Sequence, residues 1–301
     1  RFGPDTEVVD RVRYDVDPAK ASAFGRAIRR YLPALEERDL APVSAGTERQ
    51  QSTDDLPERR ARHLESAYEQ LKEGPTPAAI LFGGDNAHQP VTRPDFRACA
   101  HSFMKRFEEI APCYAIPGNH DVGSTAGWHH FDARQLDDAC RAFREDWDEW
   151  WSLEVAGFRI LGINTQIFGS GLDREKEQAE WLMDALEAPA EHARIVFGHT
   201  PLYLEDPDED FDDGSEQMCL KPEARKPLLR ILESTPPEIL LTTHAHRYWL
   251  SRQSSWSWIG TPATALGQDE MAAVPSRHLP PGDDRPGWLN LWLTDQGTWQ
   301  A

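Results

Sequence analysis

Asn119, His120 and Asp121 stand in a row and offer an amide oxygen, an imidazole and a carboxylate. Together these supply a metal ligand, a proton donor and a partner to orient it. They follow Cys113-Tyr114-Ala115-Ile116, an apolar run with the length and composition of a buried strand. Pro117-Gly118 ends that run, so the triplet is expected on a tight loop at the C-terminal end of a core strand. In open α/β sheets that end is where ligands bind. Taken alone the triplet also reads as a polar turn, since Asn, Asp and Gly are common turn formers.

Three more apolar runs end the same way. Ala79 to Phe82 runs into Gly83-Gly84-Asp85, Arg194 to Phe197 into Gly198-His199, and Glu238 to Thr242 into Thr243-His244-Ala245-His246. A lone strand-end histidine is usually structural or merely exposed. Parallel strands, however, bring such loops together along one sheet edge. His and carboxylate ligands suit Zn, Fe, Mn, Ni or Co rather than Mg or Ca alone. His244 and His246 are two apart, so on an extended strand both face one side. On a loop beyond the strand they instead reach two neighbouring ions.

The elements that must position these residues begin as alternating strands and helices at Ala78. Helices are expected over about 58–72, 94–110, 132–151, 174–187 and 222–234, from apolar residues at helical spacing. Leu153–Val155 and Phe158–Ile163 read as a hairpin around Ala156-Gly157. Strand candidates at 256–261 and 288–294 suggest antiparallel strands at the sheet edge. Residues 1–58 are hard to read: a helical pattern runs through Phe24 to Leu35, with Pro33 as a kink, and 41–57 is a polar loop. The whole chain is expected to form one domain, with 77–267 as its motif-bearing core.

Composition narrows the function classes. The 301 residues carry a formal net charge of −19. That excludes a bare nucleic-acid patch, which needs clustered Lys and Arg. It leaves room for an enzyme that meets phosphate through bound cations. No apolar run approaches the roughly 18 residues of a membrane span. Cys99, Cys113, Cys140 and Cys219 are scattered and read as buried free thiols, so a cytoplasmic location is expected. The chain starts at Arg1 rather than Met, which leaves a removed signal open. Oligomeric state is not legible.

The ordered set of G-D, G-N-H-D, G-H and H-x-H resembles the calcineurin-like metallophosphoesterases over roughly Pro77 to Gly267. Gly118-Asn119-His120-Asp121 is its most specific motif. Ile163-Asn164-Thr165-Gln166, the run His199 to Glu205, and His244-Ala245-His246-Arg247 resemble the branch described as serine/threonine phosphatases. The resemblance implies an α/β fold, a four-layer α/β/β/α sandwich of two mixed sheets, with two divalent metal ions (Mn, Fe, Zn or Mg). It implies that Asp85 bridges both ions, that Asn119, His199 and His244 bind one of them, and that His246 binds the other. His120 then resembles the general acid, with Asp121 orienting it. The implied activity is hydrolysis of a phosphorylated substrate, phosphoprotein or small phosphoester, by metal-bound hydroxide. Two cations roughly 3.5–4 Å apart clamp a phosphoryl group and activate water.

The sequence departs from the family in places. No D-x-H or D-P-Q motif precedes Asp85 at the end of a strand, and Asp17-Pro18-Ala19 has no apolar run before it. Arg1-Phe2-Gly3 would sit naturally after such a motif, so a truncated N-terminus is expected. That gap keeps an alternative open, a non-catalytic metal-binding interaction module on the same fold. Thr243 replaces the usual Gly before His244. His88 stands where purple acid phosphatases have Tyr. Arg247 reads as a phosphate-binding fork or a surface ion pair. Asn164 either shapes the site or caps a turn. His88 and His129-His130 either line the cleft or are loop histidines. The acidic run from Glu205 to Asp213 reads as a solvated loop or as a lid that prefers basic peptides.

Overall fold

The computed structural model describes residues 56–86, 94–122, 148–210, 218–264 and 280–301. His88, His129-His130, Cys140, residues 1–55 and most of the helix expected over 132–151 lie outside the described residues. The chain divides into two compact units, Arg1–Thr76 and Pro77–Ala301. In the first, helix α1 spans Leu56–Glu73, with Ala67 and Tyr68 as its buried residues.

The second unit is built on a six-stranded mixed sheet. Its strands are β3 (Trp151–Val155), β4 (Phe158–Gly162), β5 (Arg194–Gly198), β6 (Ile239–Thr242), β7 (Trp249–Arg252) and β8 (Ser257–Gly260), in the order β3-β4-β5-β6-β8-β7. The four inner strands are parallel; β3 and β7 pair antiparallel at the two edges. Buried on both faces, the inner strands read as near-continuous apolar runs.

The pleat sorts their side chains into two cores. Leu161, Val196, Leu240 and Trp258 join a cluster with Leu182 and Leu186 of helix α4 (Asp173–Glu187) and Leu228 and Leu232 of helix α5 (Pro222–Ser234). Ile160, Ile195, Phe197, Leu241 and Ile259 face the other way, onto Ile116 and Leu81. Leu81 belongs to β1 (Ile80–Phe82), which pairs parallel with β2 (Cys113–Ala115). Beyond β1 lies helix α2 (Pro94–Phe107), whose Phe103 and Phe107 rings meet Phe82 at 5.6 and 5.5 Å between centroids. The layers are therefore helix, six-stranded sheet, β1–β2 pair, helix, as the four-layer fold requires.

Three local expectations change. Trp151 opens strand β3 rather than ending a helix, because its backbone pairs with Gly162 and its indole N–H donates to the Ala115 carbonyl at 2.6 Å. Strand β7 is unforeseen; it is four residues long and follows the last ligand motif almost at once. The stretch around Trp258 is an inner parallel strand, not an edge, because β7 folds back to cover it. Farther on, β9 (Trp292–Leu293) and β10 (Trp299–Gln300) form their own antiparallel pair. The hairpin at Ala156-Gly157 stands as expected, with φ of 50° and 78°. Both angles are positive, as the favoured two-residue hairpin turns demand.

Cys113 and Cys219 are buried free thiols. Among the described residues no helix is long and apolar enough to cross a membrane. The acidic run is not uniformly solvated. Glu205, Asp206 and Asp208 are exposed, but the Glu209 carboxylate turns inward. It accepts the N–H groups of Leu204, Glu205 and Asp206 and pairs with the buried Arg225.

Candidate metal centre

Register delivers the site. Phe82 lies opposite Ala115, and Gly198 opposite Thr242. Each pair of parallel strands therefore stops level, and the motif residues follow at one edge. One donor atom each from Asp85, His199 and His244 lies within 4.8 Å of the others. Asn119 joins them, its Oδ1 at 3.1 Å from His199 Nε2.

The backbone is bent to achieve this. Asp85, His244 and His246 have φ of 53°, 56° and 53°, in the left-handed region that non-glycine residues rarely occupy. Strain of this kind persists where the surroundings hold it, typically at functional sites. The glycines make the close approach possible. A Cβ on Gly118 would lie 2.3 Å from Asp85 Oδ1, and one on Gly84 would lie 2.5 Å from His199 Nδ1. Asn119 to Val122 form a single helical turn (α3) rather than an irregular loop. The Asp121 carboxylate stabilises that turn by accepting the Gly118 N–H at 2.8 Å and a bond from Asn86 at 3.3 Å. These hydrogen bonds hold the ligand loop itself.

The hydrogen bonds fix the protonation of His199. Its Nδ1 lies 2.6 Å from the Gly83 carbonyl, which can only accept, so Nδ1 carries the hydrogen. In the neutral ring Nε2 then offers a lone pair. It faces Asn119 Oδ1, Asp85 Oδ2 at 3.3 Å and His244 Nδ1 at 3.0 Å. The Asn119 and Asp85 oxygens repel that lone pair at these distances unless a positive charge sits among them, whichever tautomer His244 takes. A proton or a metal ion meets that need, and an N/O donor set of this kind suits a divalent transition metal. His246 adds a further donor, since its buried Nδ1 has no hydrogen-bond partner among the described residues.

Electrostatics agree with the geometry. Burial opposes ionisation of Asp85, but the neighbouring His199 and His244 outweigh it and hold the carboxyl well below its usual range. Burial likewise opposes charge on His199, yet the Asp85 carboxylate raises its pKa. His246 is pushed down to about 4 by burial, with His244 and His199 adding repulsion, so its imidazole is neutral at pH 7.

These shifts have a signed consequence. His199 is raised above 6.5, so its contribution to stability is present below that pH and lost as pH rises through the folded value. Asp85 is lowered, so its contribution is lost only in strong acid. A metal ion competes with the proton for the same Nε2 lone pair, and binding releases that proton. The gap in Tm between Mn-loaded and chelator-treated protein should therefore widen from pH 6 to pH 8.5. Thermal denaturation across that range checks it; a constant gap contradicts the assignment.

The other sequence-predicted residues are placed as follows. The backbone N–H of His120 donates to Asp85 Oδ1 at 2.8 Å. Its side chain is half-buried and stands close enough to Asp85 and His246 to act on both electrostatically. Asn164 is fully buried and fixes the end of β4. Its Oδ1 accepts the Gln166 N–H at 2.9 Å, and Gln178 of α4 bonds both its N–H and its carbonyl. That is the turn-capping role. Arg247 forks onto the Asp284 carboxylate and gives one more N–H to the Pro280 carbonyl at 3.0 Å. It forms an ion pair in which the Arg247 side chain is 11% exposed and that of Asp284 32%. Sequence reasoning did not foresee Glu149, Gln178 or Asp284, whose partners lie 14 to 37 residues away.

The comparisons converge on one group. Residues 56–248 match the family model for calcineurin-like phosphoesterase. The chain is 28% identical over 202 residues to the human (Homo sapiens) serine/threonine-protein phosphatase CPPED1, covering 63% of this chain and 60% of that protein. The Danio rerio protein of the same name is 28% identical over 185 residues, covering 58% of this chain and 55% of its own. The chain thus spans about 60% of the length of the human relative. Its fold resembles the solved structure of PhoD, with a TM-score of 0.54 at 11% identity, covering 75% of this chain and 60% of that one.

Proposed function

The chain belongs to the calcineurin-like phosphoesterase family, and from that premise we propose that it is a metal-dependent hydrolase of phosphoric esters. The observation that carries the reading is the convergence of Asp85, His199 and His244 within 4.8 Å on strand ends that arrive level. Asp85, Asn119, His199 and His244 would hold one divalent ion, with Asp85 and His246 contributing to a second. Bound ions of this kind supply Lewis-acid charge to phosphoryl oxygens and lower the pKa of water from 15.7 to about 7.

The chain's own residues do the rest. His120 stands beside the cluster as the proton donor to the departing oxygen, since an imidazole is the side chain best suited to proton transfer near neutrality. Asp121 fixes the turn that carries both His120 and Asn119. Asn164 and Gln178 lock the end of β4. The net charge of −19 would repel a phosphate from the bare protein, so substrate binding depends on the cations. The relatives' name as serine/threonine-protein phosphatases supports a phosphoprotein substrate. The free thiols Cys113 and Cys219 support a reducing, cytoplasmic setting.

A phosphatase assay on protein loaded in turn with Mn, Fe, Zn and Mg tests the proposal. Turnover of a phosphopeptide that disappears with chelator and returns with metal is expected. Undetectable turnover at full metal occupancy would overturn the enzymatic reading in favour of a metal-binding module.

A further inference from the structure

Thr243 is the residue that departs from the family pattern inside the ligand motif, and its surroundings are specific. Its Oγ1 lies 2.5 Å from the Gly83 carbonyl and 2.9 Å from His199 Nδ1. Its backbone N–H donates to the His199 carbonyl at 2.9 Å. Three strand ends therefore meet at one side chain: Gly83 after β1, His199 after β5, and Thr243 itself after β6. The fit is mutual, since a Cβ on Gly83 would fall 2.2 Å from Thr243 Cγ2.

The donor and acceptor roles are determined. The Gly83 carbonyl has two lone pairs and accepts both the His199 Nδ1–H and the Thr243 hydroxyl. The hydroxyl oxygen then presents a lone pair to the same Nδ1–H. Both contacts favour the hydrogen on Nδ1, which keeps the Nε2 lone pair facing Asp85, Asn119 and His244. Partners of this kind set the tautomer and ring direction of metal-binding histidines.

We propose that Thr243 is a positioning residue for the metal centre, acting through its hydroxyl on His199. The inference rests on the metal-binding reading above. Removing the hydroxyl should weaken metal binding even though Thr243 is not itself a ligand.

The test is metal affinity, measured by calorimetry or chelator competition with Mn and Zn on the full chain. Thr243→Val removes the hydroxyl at constant shape, and Thr243→Ala removes it without a methyl in its place. Thr243→Ser keeps it. Loss of an outer-shell partner costs about 10–100-fold in affinity, so Val and Ala should fall in that range and Ser should stay within about threefold of the parent. Metal-free Tm values, recorded in parallel, separate this from a loss of folding; the Ala variant serves if Val does not fold. Parent-like affinity in the Ala or Val variant overturns the role of Thr243 while leaving the metal site intact. An equal loss in the Ser variant also overturns it, since packing rather than the hydroxyl would then be at work. A parent protein that binds neither metal overturns the site and this inference together.

Discussion

Asp85→Asn and Asp85→Ala should each abolish metal binding. Asp85 supplies the carboxylate of the cluster, and its Oδ2 lies 3.3 Å from His199 Nε2 and 3.9 Å from His244 Nδ1. Without it the neutral donors Asn119, His199 and His244 remain, with no negative charge to offset the cation. The loss should exceed the roughly 10–100-fold that follows removal of an outer-shell partner. Asn is the cleaner change, since it tolerates the positive φ that position 85 adopts. Elemental analysis after gel filtration reads the result directly. Retained metal in the Asn variant contradicts the central place of Asp85.

His120→Ala should show the opposite pattern, keeping metal and losing turnover. The contact between residue 120 and Asp85 runs through the backbone N–H, which alanine preserves. What disappears is a proton donor beside the cluster. General acid catalysis contributes about 10²–10⁴-fold, and kcat on a phosphoserine peptide should fall by that order. The loss should shrink with an aryl ester such as p-nitrophenyl phosphate, because that leaving group departs without needing a proton. An equal loss on both substrates, or loss of metal, contradicts the proton-donor role.

Much of this was legible because the chemistry sits where strands end. An apolar run that ends in a candidate ligand occurs four times, three of them with a glycine just before it, and parallel strands leave little choice about where those residues go. The glycines carried more information than their turn-forming habit. Gly84 and Gly118 are required because Asp85 and His199 pack against their backbones. Less was legible for Trp151, because in the sequence it continues the helical spacing of Phe143, Trp147 and Trp150. The pairing of β3 with β4 and the bond to Ala115 decided its conformation, and neither is local.

Arg247 and Asn164 mark the boundary most clearly. Both stand inside motifs, and both had a chemical and a structural reading at the level of sequence. Asp284, 37 residues on, claims the guanidinium of Arg247, and Gln178 of α4 claims the backbone of Asn164. Residue type and spacing alone determined which candidate ligands stand at strand ends, since that depends on local pattern and strand direction, and the resemblance those motifs carry implied the family and its layered fold. Which of those side chains converge, which tautomer His199 takes and which groups Thr243 touches there were decided only by tertiary structure. Those properties depend on distances of about 3 Å between strand ends as much as 160 residues apart in the chain, and sequence patterns do not encode them.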